Sequence, residues 1–129
     1  MNRNEVESIV EKINSYLNSE LWMDFEVTQY TNYKLLITGS IDPSSSNSDI
    51  EIEFQEVYYA SMLFNWEIDT SIQAIELVSE YEAEEMYSKY KIESGTYIFK
   101  FYPEDYSSDV ECFVCAKNIS YIINKKIFK

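Results

Sequence analysis

The chain contains no histidine, and glycine, proline and cysteine occur only twice each among its 129 residues. Each shortage excludes something. Without His the commonest general base is missing, and neither Ser-His nor Cys-His activation of a nucleophile can operate. Two glycines provide no Gly-rich phosphate loop, and with two prolines they leave little room for flexible linkers. Cys112 and Cys115, with no His and no second pair, cannot complete a four-ligand zinc site. No run of about 18 apolar residues occurs, and the amino-terminal MNRNEVESIVEKINSYL lacks the apolar core and small-residue cleavage site of a secretory signal. A cytoplasmic protein is expected, with no catalytic residue, no metal ligand and no cofactor.

Positive charge is also absent from the middle of the chain. Between Lys34 and Lys89 there is no Lys or Arg, while that interval holds twelve acids: Asp42, Asp49, Glu51, Glu53, Glu56, Glu67, Asp69, Glu76, Glu80, Glu82, Glu84 and Glu85. Outside it eleven acids face ten bases, so nearly all of the formal charge of −13 belongs to the central segment. Such a field should repel nucleic acid and anionic membranes and attract basic partners. Solubility explains net charge, but not a segregation that forgoes local salt bridges and places Glu80 and Glu84 four apart, where like charges repel on a helix.

What is present suffices for a core. A hydrophobic fraction of 46% and an aromatic fraction of 16% suit a single domain spanning residues 1–129, which should bury roughly two thirds of its unfolded surface. Val6, Ile9, Val10, Ile13 and Leu17 recur at helical spacing, with Asn4 and Glu7 as a capping box and Asn18-Ser19 as the stop. Leu21, Met23, Phe25 and Val27 alternate with Trp22, Asp24 and Glu26, which is strand chemistry. Thr31-Asn32 offers a turn, and residues 33–41 the returning strand. Ile50, Ile52 and Phe54 alternate with Glu51 and Glu53 in a strand expected to run on through Tyr59. Asp69-Thr70-Ser71 offers helix caps, and the spacing of Ile72, Ile75, Val78, Tyr81, Met86 and Tyr90 predicts a helix over 72–90. Ile75, Leu77 and Tyr81 also fit a strand over 75–81. TYIFKFY is a strand, PEDYSSD a loop, and VECFVCAK with NISYII one or two further strands, followed by a basic tail of Lys125, Lys126 and Lys129. The expected fold is therefore α+β, an antiparallel sheet with an N-terminal helix and a second helix packed on it.

Two local patterns need weighing. Asp42 and Glu53 stand at the first and twelfth places of DPSSSNSDIEIE, the span of a calcium loop, but Ser44, Ser46 and Asn47 occupy places that call for acids or glycine. A hairpin loop is the better reading. Cys112 and Cys115 have redox spacing, yet on a strand residues three apart point to opposite faces, so two packed structural thiols are expected.

The segments IEIEFQEVYYASML and YIFKFYPEDYSSDVECFVCAKNISYII, a strand ending in aromatics and then a strand, an acidic turn and a last hairpin, resemble in layout the small acidic α+β immunity proteins that bacteria encode beside polymorphic or contact-dependent toxins. That resemblance implies inhibition by occlusion of a toxin domain, often a basic nuclease. The residues expected to meet such a basic partner are Glu51, Glu53, Glu56, Glu80, Glu82, Glu84 and Glu85 for charge, with Tyr58, Tyr59, Trp66 and Tyr81 as aromatic anchors. The protein itself is expected as a monomer or weak homodimer. The competing expectation is a non-catalytic structural or small-ligand-binding domain with an aromatic pocket.

Overall fold

The computed structural model describes residues 1–42, 44, 47–107 and 109–124. Two helices, α1 (Arg3–Asn18) and α2 (Glu80–Tyr90), accompany nine strands: β1 (Trp22–Thr31), β2 (Lys34–Ser40), β3 (Ile50–Gln55), β4 (Tyr59–Ser61), β5 (Asn65–Asp69), β6 (Ile75–Leu77), β7 (Tyr97–Phe101), β8 (Cys112–Ala116) and β9 (Asn118–Ile123). The expected α+β class and N-terminal helix hold, but the strands divide between two antiparallel sheets, ordered β5-β1-β2-β3-β9 and β4-β8-β7-β6.

The two sheets face each other across aromatic side chains. Phe54 of β3 lies 5.0 Å from Phe99 and 5.9 Å from Phe101 of β7, ring centroid to ring centroid; Trp66 of β5 meets Phe101 at 5.6 Å and stacks on Phe25 at 5.5 Å. Val6, Val10, Ile13 and Leu17 bring α1 into the same core. This helix packs against β6 of one sheet and β9 of the other, so it closes the side on which both sheets would otherwise end. Asn14 fastens it: its amide donates to the Ile75 carbonyl (2.8 Å) and its oxygen accepts the Ile75 N–H (3.1 Å), satisfying the β6 edge. The Arg3 guanidinium holds the Val78 carbonyl at 2.7 Å. On the far face of the four-stranded sheet, α2 buries Ala83, Met86 and Tyr87 against Ile98, Phe113 and Cys115.

Several expectations shift at their boundaries. The α1 cap is Asn2, whose side chain accepts the Glu5 N–H, not Asn4. Leu21 precedes β1 and is 91% exposed, so it does not join the buried face of Met23 and Phe25. The strand predicted through Tyr59 stops at Gln55: Glu56 turns at φ +53 and the chain crosses to the other sheet. The helix predicted over 72–90 begins at Glu80. Asp69 closes a tight turn onto Ser71 (2.9 Å to the N–H), Ile75–Leu77 pair with β7, and Ser79 supplies the cap by accepting the Glu82 N–H. The period-two alternative was correct for three residues because β7 offered an open edge. The last segment is two strands in different sheets, separated by Lys117, whose N–H donates to Gln55.

The hairpin reading of the Ser-rich segment holds, since Gly39 pairs with Ile50 across β2 and β3 and Glu53 lies within β3. Pro43, Ser45 and Ser46 of that loop, and the tail lysines, are outside the described residues. Cys112 contributes to the core between the sheets and Cys115 to the cluster under α2, as opposite faces require. Burial raises both thiol pKa values, that of Cys115 to about 11, which keeps them protonated and poor nucleophiles.

Gly39 marks where packing is tightest. A Cβ there would approach Ile50 Cγ2 and Phe25 Cε1 to 2.8 Å and Met23 Cγ to 3.1 Å. Gly39→Ala is therefore expected to destabilise the protein by about 1–3 kcal/mol through overpacking, measured as a lower urea midpoint at unchanged m-value.

Candidate functional site

The outer face of the five-stranded sheet follows from strand alternation. With Met23, Phe25, Ile52, Phe54, Trp66 and Ile68 turned inward, their neighbours must turn outward. Six of these are acids: Asp24, Glu26, Glu51, Glu53, Glu67 and Asp69. Register brings them together, because Asp24 lies opposite Glu67, Trp22 opposite Asp69, and Glu26 and Glu51 flank Thr38 from either side. Lys34, at the start of β2, is the one base on the described strands of this face. None of the six acids forms an ion pair among the described residues.

The tightest point of that field is Asp24 and Glu67. Asp24 Oδ1 is buried and receives no hydrogen bond. The charge of Asp24, more than burial or the nearby Glu104 and Asp105, raises the Glu67 pKa.

The α2 region is organised differently. Lys100, on the outer face of the four-stranded sheet, pairs with Glu82 and, at 3.0 Å, with Glu111; Glu111 also takes Lys89 at 2.9 Å and the Tyr90 hydroxyl at 2.5 Å. The Tyr90 bond above all, then Lys89 and Lys100, overcome the burial penalty and pull the Glu111 pKa down to about 2. Burial alone would lower the Lys100 pKa, but its bonds to Glu82 and Glu111 leave it raised.

A third feature lies where the chain changes sheets. A groove of about 650 Å³ is lined by Tyr30, Tyr33 and Tyr58 with Glu56, Glu93 and Lys117. It adjoins a second groove, sharing Glu56 and Lys117 with it, that reaches Glu80 and Glu84 on α2. Its backbone is irregular. Asn32 and Tyr33 form a two-residue turn with φ +54 and +63, the type I′ arrangement that favours Asn-Gly. A non-glycine residue in this conformation costs about 1 kcal/mol, and Tyr33, 70% exposed, gives the core nothing in return.

The sequence-predicted residues thus do not form one site. Glu51 and Glu53 stand on the open sheet face, whereas Glu80, Tyr81, Glu84 and Glu85 are exposed on α2, beyond both sheets. Glu82 is committed to Lys100. Trp66, expected as a surface anchor, is 7% exposed and belongs to the core; Tyr59 is half-buried, stacked on Phe113 at 5.6 Å. Only Glu56, Tyr58, Glu80 and Glu84 converge, along the joined grooves. Sequence reasoning missed Asp24, Glu26, Glu67 and Asp69 as companions of Glu51, since strand order alone makes them neighbours. It also missed Tyr30 and Tyr33, for which the only signal was a tyrosine following Asn32 where a hairpin turn favours glycine.

Two stability measurements check these electrostatics. Asp24→Asn should raise Tm at pH 7, because it removes the repulsion that raises the Glu67 pKa; the gain should shrink in high salt and fade as pH falls through the raised Glu67 pKa. Glu111 has a depressed pKa, so its contribution is fully present above its ordinary 4.5 and lost as pH falls towards 2. Glu111→Gln should melt below the wild type at pH 6, with the gap closing across that window. Among known proteins, no family model matches the chain, and no curated protein or solved structure does.

Proposed function

We propose that this protein is a non-catalytic inhibitor of the immunity type, which neutralises a basic toxin domain by covering it with the open acidic face of its five-stranded sheet. The observation that carries this reading is the set of six acids at neighbouring positions on an uncovered sheet face, none ion-paired among the described residues. Like charges held opposite one another, as Asp24 and Glu67 are, destabilise a sheet. A cationic surface laid on the face would turn this repulsion into attraction and speed encounter. The α+β class is compatible with the layout that the resemblance implies. Among the described residues no helix is long and apolar enough to cross a membrane, and occlusion asks for no catalytic group.

The test is capture of a partner from lysate of the source organism by the immobilised chain, at low and then moderate salt, followed by association kinetics with the captured protein. A single basic protein should be retained, and the double substitution Glu51→Lys with Glu53→Lys should slow association about tenfold or more at low salt and flatten its salt dependence, without lowering Tm. An unchanged on-rate, or retention of only a salt-sensitive mixture, would sink the proposal.

A further inference from the structure

We infer that the tyrosine-lined groove between the β1–β2 turn and the β3–β4 crossover is a docking site for a single arginine or lysine side chain projecting from a protein partner. The source of that side chain rests on the basic-partner reading above; its recognition is a property of the groove.

Three separate departures from regular backbone deliver side chains to this one place. In β1 the register slips between Val27 and Gln29, so that Tyr30 pairs with Leu35, whose side chain turns towards the core face. Unbroken alternation would have put Tyr30 on the acidic outer face with Asp24 and Glu26, so the bulge re-aims it. The left-handed turn then presents Tyr33, and its carbonyl accepts the Val57 N–H at 2.8 Å. That bond fixes the crossover in which Glu56, also left-handed, and Tyr58 follow; the Tyr58 N–H is held by the Cys115 carbonyl at 2.9 Å. Tyr30, Tyr33 and Tyr58 are 56%, 70% and 51% exposed, so none of the three is there to fill the core. Backbone outliers gathered in one place are where binding function is to be sought.

The chemistry of the lining selects a cation. Tyrosine faces attract guanidinium or ammonium groups within about 6 Å, and a carboxylate takes a guanidinium through paired charge-assisted hydrogen bonds. Glu56 and Glu93 supply the carboxylates. Glu56 is steadied by the Asn118 amide at 3.3 Å. Lys117 is the one base in the described lining, placed where the groove meets its neighbour; it opposes entry of a second cation at that end and limits the groove to one.

The probe is the capped peptide acetyl-Gly-Arg-Gly-amide, titrated into the full chain by NMR beside the same peptide with citrulline, the neutral isostere of arginine. The arginine peptide should shift the ring resonances of Tyr30, Tyr33 and Tyr58, and the citrulline peptide should bind about tenfold more weakly or worse. Tyr33→Gly should lose at least as much affinity while melting no lower than the wild type, which separates loss of the anchor from loss of the fold. Equal binding of the two peptides, shifts confined to the outer sheet face, or no binding at millimolar peptide would each overturn the inference. The double Glu51, Glu53 charge reversal keeps the two proposals apart, since it should leave peptide binding unchanged. If the peptide occupies the groove but no basic partner is captured, the inhibitor reading falls and the groove stands; capture without peptide binding has the opposite meaning.

Discussion

The contact on which the rest of this structure depends is the chain of rings Phe25, Trp66, Phe101, Phe54 and Phe99, which joins the five-stranded to the four-stranded sheet. Its members come from β1, β3, β5 and β7, so neither sheet can be placed without the other. Aromatic pairs at these separations are each worth about 0.5–1.5 kcal/mol beyond area burial. They also impose a geometry, and Gly39 is the concession to it: the rings and aliphatics beside β2 leave no space for even a methyl group.

Once the sheets are joined, the remaining elements serve their open margins. The α1 helix spans β6 and β9, and Asn14 completes the hydrogen bonding of the β6 edge with one side chain. Helix α2 covers the other face of the four-stranded sheet and anchors itself through the Lys100, Glu111 and Tyr90 network. Among the described residues no helix covers the outer face of the five-stranded sheet. The bases of the described chain that do pair, Arg3, Lys89 and Lys100, serve α1, α2 and β7, so among the described residues the acidic face holds no ion pair.

Charge and aromatic exposure consequently occupy different places. Acids gather where alternation points them away from the core, while tyrosines gather at the end where turns, a bulge and crossovers break alternation. A partner that engages both would read a broad field through one surface and a single inserted side chain through the other, a division between steering and anchoring common in protein recognition.

The sequence by itself determined the α1 helix, the alternation of β1 and β3, the strand character of β2 and β7, the opposite orientation of Cys112 and Cys115, and the crowding of acid between Lys34 and Lys89, because each is a local pattern or a composition. Only the tertiary structure decided that Ile75–Leu77 is strand, that β3 ends at Gln55, and that β8 and β9 belong to different sheets, since each depends on which edge was open to pair. The same holds for the sites. Glu51 and Glu53 were legible as exposed acids, but their company of Asp24, Glu26 and Glu67 came from strand order. Trp66, expected at the surface, lies in the core because its ring packs between Phe25 and Phe101, and Tyr33 is exposed because it sits in a two-residue turn between β1 and β2.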